Sequence, residues 1–443
     1  MRVAVVGGGF AGVEAAVALA RAGFGVDLWE MRPGVKSPAH QGGDLAEIVC
    51  SNSFGGDSTA SAAGVLKAEM RALGSVVLEV AARCAVPAGS ALAVDRERFA
   101  AAMTERVEAE PGIRIVREEA KEPPAPTTIL CTGPLPGEAL AAWLEARVGR
   151  FLAFYDAASP IVVRESVDMG KAYAASRYGR GQPEDYLNCP LDEEAYLAFW
   201  QALSSAERTV LRGFEQGAYF EGCLPVEVIA ERGRDTLRYG PMRPVGLNDP
   251  ATGRRPYAVV QLRRDNAAGD LMNLVGFQTG LRWREQKRVF RMVPALAEAE
   301  FARYGVMHKN AFVCAPLVLE ADTRLRGADG VYLTGQMAGV EGYMESAALG
   351  LYTGLQAARR LQGLAPVPPP RETMLGALVH YLGAAAAADF QPMNANFGLL
   401  PPAPVGVRGR AERKAAQAGR ALAALSSYRA ALAADGGSRV LEF

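Results

Sequence analysis

The spacing of hydrophobic residues changes twice within the first thirty positions of the chain. An unbroken apolar run at residues 3–6 is followed by glycines, and apolar residues then recur at helical spacing over about residues 11–22. A second strand-type run, residues 25–30, ends on the acidic Glu30. This order predicts a buried strand, a helix and a second strand, which together form the first βαβ unit of a parallel sheet.

The next segments continue the alternation of helical and strand patterns. Residues 63–84 and 95–112 have apolar residues at helical spacing, and the second segment begins at Asp95, a residue type that caps helices. Residues 113–122 and 127–133 have strand character. The first part of the chain therefore predicts a doubly wound, Rossmann-like α/β domain.

From about residue 149 the pattern changes to short strands, irregular polar stretches and aromatic residues, and an α/β pattern returns over residues 330–361. The sequence thus predicts an α/β nucleotide-binding domain interrupted by an inserted mixed α+β domain. A stiff proline-rich linker then leads to alanine-rich C-terminal helices. The expected boundaries are 1–148 and 306–364 for the two parts of the nucleotide-binding domain, 149–305 for the inserted domain, and 365–443 for helices packed on the nucleotide-binding domain.

Composition narrows the class of protein. The 443 residues are half apolar and carry 48 Lys or Arg against 48 Asp or Glu, the profile of a globular protein without membrane spans. Six cysteines without CxxC spacing argue against a disulfide framework or a metal site, so a cytoplasmic location is expected. Between residues 230 and 290 twelve Arg or Lys face six Asp or Glu, and this local excess favours a phosphate-rich partner.

The glycine-rich turn after the first strand predicts dinucleotide binding. Gly7, Gly9 and Gly12 form G-x-G-x-x-G at the start of the first helix, where the backbone can approach a pyrophosphate. Glu30 lies where a carboxylate accepts hydrogen bonds from ribose hydroxyls. The residues expected to bind the cofactor at this end are Gly7, Gly8, Gly9, Phe10, Ala11, Gly12, Glu30 and Arg32.

A second glycine-containing turn favours FAD over NAD as the bound dinucleotide. In DGVYLTGQMAGVEGY a strand ends in Gly335-Gln336, and a glycine-rich helix start follows with Gly342 and Tyr343. These four residues are expected to place backbone N–H groups near the flavin-side phosphate and the ring edge. Because no second complete G-x-G-x-x-G with a terminal acid is present, a nicotinamide cofactor is expected to visit rather than to stay bound.

Several separated stretches also carry a family signal. They include VVGGGFAGVEAA, WEMRP, EIVCSNSF, GVLKAEMRALGS, EGCLPVE and TGQMAGVEGYMESAA. Together they resemble the folate- and FAD-dependent tRNA (uracil-54) methyltransferase family, from residue 1 to about residue 360. The glycine loops alone also fit the related flavoproteins that modify wobble uridines, whereas EGCLPVE and VCSNSF with ESAALG favour the methyltransferase branch.

The resemblance implies methyl transfer without S-adenosylmethionine. The methylene carbon of 5,10-methylenetetrahydrofolate goes to carbon-5 of uridine 54 in the tRNA T-loop, reduced FAD supplies the electrons, and NADH or NADPH restores the flavin. The implied partners are tRNA, folate and NAD(P)H, with no obligate protein partner.

Two cysteines are candidates for the thiol that this chemistry uses. A thiolate that adds at carbon-6 of uracil makes carbon-5 nucleophilic. The resemblance maps the functional cysteines of the family onto Cys50 and Cys223, both in glycine-containing stretches. Cys223 is assigned as the nucleophile and Cys50 as the second thiol, which removes the carbon-5 proton or holds an intermediate. The reverse assignment is chemically reasonable and stays open.

The resemblance also implies folate contacts, and the charge pattern implies RNA contacts. His308 and Tyr343 are the candidates for stacking on a flat pterin ring. The arginine-rich span with interleaved aromatic residues is expected to hold phosphates and a base taken out of the T-loop. The arginines predicted to bind RNA are Arg232, Arg234, Arg254, Arg255, Arg282 and Arg284.

Two other functions fit parts of the pattern. One is an FAD-dependent oxidoreductase that acts on a small molecule, although the missing CxxC argues against the disulfide reductases. The other is a tRNA-modifying flavoprotein that depends on a partner enzyme, as in the wobble-uridine group.

Overall fold

The computed structural model of the chain describes residues 2–37, 39–179, 181–209 and 224–434, with the backbone alone at His308 and Ala434. Among the described residues, no helix combines the length and apolar composition that crossing a membrane requires. The strands are β1 Arg2–Val6, β2 Gly25–Trp29, β3 Ser53–Gly56, β4 Ala85–Val86, β5 Ala91–Val94, β6 Ile113–Val116, β7 Thr128–Leu130, β8 Leu152–Ala157, β9 Ile161–Val163, β10 Tyr173–Ala174, β11 Tyr186–Leu191, β12 Ala258–Arg264, β13 Leu271–Leu274, β14 Phe301–Arg303, β15 Met307–Phe312 and β16 Val331–Leu333.

The helices alternate with these strands in the first part of the chain and close it at the end. The α-helices are α1 Phe10–Arg21, α2 Ala62–Ala72, α3 Val76–Arg83, α4 Arg96–Glu108, α5 Glu138–Val148, α6 Glu193–Ser204, α7 Val226–Glu231, α8 Thr236–Tyr239, α9 Trp283–Phe290, α10 Ala315–Val318, α11 Tyr343–Leu361, α12 Met374–Ala384 and α13 Arg410–Ala434.

A five-stranded parallel sheet in the order β16-β7-β1-β2-β6 positions the glycine loops. Four consecutive residues of β1, from Val3 to Val6, are buried, as expected for a central strand that is covered on both faces. Strands β1 and β2 pair in parallel with helix α1 between them, so the predicted βαβ unit is confirmed. Strand β16 returns to this sheet beside β7, although about 200 residues separate the two strands in the sequence.

Several predicted helices and strands differ from the structure in extent, and two of them show why. The helical pattern over residues 63–84 corresponds to two helices, because Gly74 follows α2 at φ +78° and Ser75 caps α3 by accepting the Leu78 N–H at 3.2 Å. The strand expected over residues 113–122 ends at Val116, where a run of charged residues begins. The cap expected at Asp95 is present, since its carboxylate accepts the Arg98 N–H at 3.0 Å.

A second, antiparallel sheet forms the middle of the chain. Six strands lie in the order β10-β11-β12-β13-β9-β14, and their apolar side chains form a core separate from that of the parallel sheet. This core draws on residues 162–299, whereas the first core draws on residues 3–154 and 312–432. The predicted fold class is confirmed: a Rossmann-like domain interrupted by a mixed region, followed by helices.

An antiparallel two-stranded ribbon joins the two sheets. Strand β8 enters the middle region and β15 leaves it, and the two pair over six residues from Met307 opposite Ala157 to Phe312 opposite Leu152. After α11 the chain continues through α12 and α13, which pack beside α2. The N terminus of α12 is capped by the buried Glu69 of α2, which accepts the N–H groups of Met374 at 2.7 Å and Leu375 at 2.9 Å.

Candidate active site

A cavity of about 530 Å³ opens at the carboxyl end of the parallel sheet. In doubly wound sheets this end is where ligands bind, because the loops that follow the strands separate there. The volume lies within the range of small-molecule and cofactor sites. The predicted residues that line the cavity are Gly7, Gly8, Gly9, Phe10, Ala11, Glu30, Arg32, Cys50, Gly335, Gln336, Gly342 and Tyr343.

Glycine serves a different structural purpose at each of three positions in the first loop. Gly7 has φ +104°, and a Cβ there would collide with the carbonyl group of Cys131, which follows β7. A Cβ on Gly12 would collide with the carbonyl oxygen of Gly7, so only glycine lets the helix start so close to the turn. A Cβ on Gly9 would meet nothing within 4 Å. The open space beside Gly9 belongs to the cavity and leaves room for a ligand against the backbone.

The carboxylate of Glu30 is held by four protein donors. Its Oε1 accepts the Arg32 backbone N–H at 3.0 Å and Arg32 Nε at 2.9 Å, and its Oε2 accepts the Gly8 N–H at 3.0 Å and Arg32 Nη2 at 3.1 Å. Burial raises the pKa of Glu30, but the hydrogen bonds and charge of Arg32 outweigh it and leave this pKa below its ordinary value. Since a carboxylate has about four acceptor positions, a ribose hydroxyl at Glu30 would replace one of these donors.

The second glycine-containing loop reaches the cavity from β16 and α11. Gln336 donates from Nε2 to Glu341 Oε2 at 2.6 Å, and Gly342 precedes α11 as its N-cap residue. Gly9 and Gly342, the N-cap residues of α1 and α11, have no side chain that could cap these helices, and both helices begin at the cavity end of the sheet. A helix N terminus beside an elongated cavity suits a phosphate of a dinucleotide.

These residues fit FAD. The space beside Gly9 accepts a pyrophosphate, and Arg32 and Glu30 lie at the end of β2, where the ribose of a dinucleotide binds in this fold. The cavity then continues to Gln336, Tyr343 and Cys50, which leaves the flavin end beside the thiol.

The Cys50 loop is fastened to the start of α11 by one side chain. The Tyr343 hydroxyl oxygen accepts the backbone N–H groups of Val49 and Cys50, each at 2.9 Å, and lies 3.0 Å from Cys50 Sγ. The Tyr343 ring packs against Phe10 with a centroid separation of 4.5 Å and against Phe54 at 5.9 Å. Tyr343 therefore connects the glycine loop, the cysteine loop and α11.

The electrostatic surroundings keep the Cys50 thiol protonated. Burial and the nearby charge of Asp156 raise the pKa of Cys50 to about 12, against the smaller opposing effects of the Tyr343 hydrogen bond and the Arg96 charge. At neutral pH the sulfur is therefore a thiol, which is a poor nucleophile.

The carboxyl groups that line the cavity and that the sequence did not single out include Asp156, Glu341 and Glu345. Burial and the charge of Asp156 raise the pKa of Glu341. Burial likewise raises the pKa of Glu345, whose Oε1 accepts the Ala395 N–H at 2.9 Å. The Lys67 charge acts on Glu345 in the opposite direction, and burial lowers the pKa of Lys67 itself to about 8.

Cys223 and His308, which are predicted to take part in the reaction or to bind folate, are not fully described by the structure. Cys223 lies outside the described residues, so its predicted role stays a prediction. His308 lies in β15, paired in register with Asp156 of β8. Because Asp156 lines the cavity, the backbone of His308 lies near the site predicted to bind folate.

The arginines predicted to bind RNA lie in three places on the middle region. Arg234 pairs with Glu193 at 2.7 Å, and both Arg282 and Arg284 pair with Glu207. Arg232 ends α7 as its C-cap residue. Arg254 and Arg255 are exposed in a turn before β12, and among the described residues neither guanidinium group has a hydrogen bond or ion pair.

Three of the described arginines hold the Cys50 loop, a role that the sequence did not predict. Arg96, Arg263 and Arg303 each donate to a residue between Ile48 and Asn52. Their sequence neighbourhoods resemble those of surface arginines, and their targets lie tens to hundreds of positions away. The Asp95 cap beside Arg96 fixed where α4 begins, but nothing local indicated what Arg96 binds.

Comparison with known proteins identifies the family. The profile of the family described as "Glucose inhibited division protein A" matches residues 2–365. A methylenetetrahydrofolate–tRNA-(uracil-5-)-methyltransferase TrmFO from Moorella thermoacetica is 56% identical over 423 residues, which cover 95% of this chain and 97% of the relative. An enzyme of the same name from Thermus thermophilus is 54% identical over 428 residues, covering 96% of each chain. The chain belongs to the glucose inhibited division protein A family, in its TrmFO branch.

Solved structures from the same family share the fold. Two crystal forms of Aquifex aeolicus GidA superpose with TM-scores of 0.69 and 0.70 at 15% identity. They cover the whole of this chain and 75% and 78% of the GidA chain. This chain therefore shares the GidA fold. The family resemblance that the motifs indicated is confirmed by the family profile and by the relatives above.

Proposed function

We propose that this chain transfers the methylene carbon of 5,10-methylenetetrahydrofolate to carbon-5 of uridine 54 in the tRNA T-loop, which gives 5-methyluridine. The observation that carries the proposal is one cavity lined by both glycine loops and by Cys50. Relatives more than 50% identical over nearly the whole chain are tRNA (uracil-5-)-methyltransferases by name, and that supports the reaction class.

FAD is the cofactor, and when bound in its reduced form it supplies the electron pair that converts methylene to methyl. The glycine loop and the helix ends hold its phosphates, while Arg32 fixes the Glu30 carboxylate at the ribose end. NADH or NADPH is proposed as the source of the electrons, entering as a co-substrate.

The two cysteines are proposed to act in different protonation states. Cys223 adds to carbon-6 of uracil as a thiolate, which places electron density on carbon-5 and makes that carbon attack the methylene carbon. Loss of the carbon-5 proton then lets the bond between the methylene carbon and the folate nitrogen break, which releases tetrahydrofolate and leaves a methylene group on carbon-5. Addition of a hydride, which the reduced flavin would supply, converts this methylene to methyl as the sulfur leaves carbon-6, and the double bond of the ring is restored. The raised pKa of Cys50 weighs against this sulfur as the thiolate that attacks the uracil ring. To remove the carbon-5 proton, Cys50 would first have to lose its own proton, whereas holding an intermediate does not require this.

Folate is proposed to bind between the flavin end of the cavity and β15. The Tyr343 ring and His308 are the proposed pterin contacts, and the pairing of His308 with the cavity residue Asp156 supports this location. Tyr343 has a second role in this arrangement, since its hydroxyl also fixes the Cys50 backbone.

The tRNA is proposed to bind the middle region through the six arginines named above. Arg254 and Arg255 are ready for phosphates, whereas Arg234, Arg282 and Arg284 would exchange their carboxylate partners for phosphates on binding. We propose residues 149–305 as the inserted tRNA-binding domain, 1–148 with 306–364 as the FAD domain and 365–443 as its helical extension. The protein is proposed to act in the cytoplasm without an obligate protein partner.

The decisive experiment combines purified FAD-loaded protein, unmodified tRNA transcript, NADPH and methylene-labelled 5,10-methylenetetrahydrofolate. Nuclease digestion and mass spectrometry then locate the label. We expect label in 5-methyluridine from the normal transcript and none from a transcript with cytidine at position 54. If NADPH fully reduces the flavin of the protein but the RNA stays unlabelled, the proposal is overturned.

Cysteine variants separate the roles within the reaction. Cys223→Ala is expected to abolish methyl transfer while FAD content and tRNA affinity stay unchanged. Cys84→Ala, a substitution at a buried cysteine away from the cavity lining, serves as the matched control. The same relatives weigh against the two other functions that the sequence left open, so neither is proposed.

A further inference from the structure

The loop that carries Cys50 is held through its backbone by arginines. Arg96 Nη2 donates to the Cys50 carbonyl oxygen at 2.7 Å, and Arg96 Nη1 donates to the carbonyl oxygen of Ile48. Arg303 Nη2 lies 3.4 Å from the carbonyl oxygen of Val49. Three successive carbonyl groups therefore accept guanidinium donors, while Tyr343 accepts the N–H groups on the other side of the first two of these peptides.

Arg96, which contacts Cys50, is held in turn by a residue of the middle region. Asp265, which directly follows β12, pairs with Arg96 through Oδ1 at 3.1 Å and through Oδ2 to Nε at 3.3 Å. Its side chain is 4% exposed and that of Arg96 is 12% exposed, so solvent screens the pair little. Arg96 belongs to α4 beside the parallel sheet, and the pair thus bridges the two sheets at Cys50.

A second set of contacts, made by Ser51 and Asn52, also joins the cysteine loop both to the first part of the chain and to the middle region. Asn52 donates from Nδ2 to Val94 O at 2.9 Å and to Arg264 O at 3.1 Å, and its Oδ1 accepts Arg263 Nη2 at 2.8 Å. Arg263 Nη2 also donates to Ser51 Oγ at 3.0 Å. The end of β12 therefore contacts the loop directly on one side of Cys50, and through Arg96 it holds Cys50 itself.

A general stabilising role would not require this geometry. One planar guanidinium group spans two carbonyl groups of the cysteine loop and one carboxylate, which a lysine ammonium cannot reproduce. We propose that Arg96 and Asp265 are positioning residues that hold the Cys50 thiol in its place beside the cavity, so that the middle region sets the reactivity of this thiol. The proposal rests on the proposed function only where Cys50 takes part in methyl transfer.

Two substitutions test the proposal without removing Cys50. Arg96→Lys keeps the positive charge near the sulfur but cannot bridge both carbonyl groups, and Asp265→Asn keeps the shape of the partner but removes its charge. Release of the loop exposes the thiol and lowers its pKa toward that of an ordinary cysteine, and each unit raises the thiolate fraction about tenfold. We expect iodoacetamide to alkylate Cys50 at pH 8 at least about tenfold faster in both variants.

The measurement follows the mass of the Cys50 peptide over time, from pH 7 to 10, in FAD-loaded protein without RNA. Glu97→Gln, at an exposed position next to Arg96 on the same helix, is the matched control and should leave the rate and pH profile unchanged. Unchanged alkylation of Cys50 in both variants, with normal FAD content, would overturn the inference.

Methyl transfer is measured separately on the same proteins. A lower kcat at unchanged tRNA affinity, together with faster alkylation, supports both the positioning and the role of Cys50. Faster alkylation with unchanged kcat would keep the positioning and overturn the proposed role of Cys50. Failure of the wild-type protein to methylate tRNA would leave the alkylation result intact, so the two failures are distinguishable.

Discussion

The hydroxyl group of Tyr343 lies 3.0 Å from the sulfur of Cys50 and accepts the backbone N–H of the same residue at 2.9 Å. Although 293 positions separate the two residues, this contact joins the start of α11 to the cysteine loop. It also gives one aromatic side chain two separable parts, a ring that packs on Phe10 and a hydroxyl that orders the loop.

Tyr343→Phe should therefore lower methyl transfer without loss of FAD. The ring packing remains, but the N–H groups of Val49 and Cys50 lose their acceptor, at a cost of about 1–3 kcal/mol for each buried group left unpaired. We expect kcat to fall about tenfold or more, measured with labelled folate, while the flavin absorbance per protein stays constant. Tyr381→Phe, which removes a hydroxyl bonded to Gln391 O outside the cavity lining, is the control. Equal activities of the two variants would contradict this role of the hydroxyl.

Gly9→Ala should separate folding from cofactor binding. A Cβ at Gly9 meets no protein atom within 4 Å, and the φ of −79° suits alanine, so the protein should fold. The added methyl group takes up space that the pyrophosphate needs. We expect reduced FAD occupancy by absorbance at an unchanged melting temperature of the cofactor-free protein.

Gly383→Ala is the control for Gly9→Ala, because a Cβ there also meets nothing within 4 Å but lies on α12 away from the cavity lining. Gly7→Ala should instead fail at the folding step, since it collides with Cys131 and opposes a φ of +104°. Full FAD occupancy in Gly9→Ala would show that the phosphates bind elsewhere.

Stability should decrease as the pH rises from about 5 to 8. Burial raises the pKa of Glu69 from 4.5 to about 8 and that of Glu14 to about 7. In this window the folded protein keeps protons that the unfolded chain has lost, so the free energy of unfolding falls as the pH rises. Denaturant titrations of the FAD-loaded protein at pH 5.5, 6.5, 7.5 and 8.5 would measure this slope.

Glu69→Gln should reduce the loss of unfolding free energy across this pH window by an amount on the order of 3 kcal/mol. Glutamine cannot ionise, yet it still offers an acceptor to the first N–H groups of α12. Glu108→Gln, at an exposed position, should leave the slope as it is in the wild type. A wild-type stability that rises between pH 5.5 and 7.5 would show that Glu69 is ionised in the folded protein.

Arg254→Ala combined with Arg255→Ala should weaken tRNA binding by an electrostatic mechanism. Each phosphate contact that is lost reduces the slope of log K against log salt by about 0.7–0.9, so the double variant should lose about 1.5. Filter binding over a series of KCl concentrations measures this slope. Arg114→Ala, whose guanidinium group is occupied by Asp27, should keep the wild-type slope. Loss of affinity with an unchanged slope would point to a folding defect.

Sequence reasoning worked where the signal is local. The glycine spacing, Glu30 and the second loop at Gly335 follow from a backbone that must turn and approach a phosphate, and these features meet at one cavity. The four donors on Glu30 were not foreseen, because they depend on how Arg32 folds back after β2. The pairing of Arg96 with Asp265 spans 169 positions, and no local pattern encodes such a contact.

The pairing of β8 with β15 indicates where the middle region could be removed from the chain. Because Ala157 and Met307 lie opposite each other, about 5 Å apart as antiparallel neighbours, a short turn could close the ribbon in place of everything between them. Such a shortened protein would keep the parallel sheet and both glycine loops, but it would lack Asp265, Arg263 and Arg303. It would be a flavin carrier whose thiol is no longer held from the second sheet.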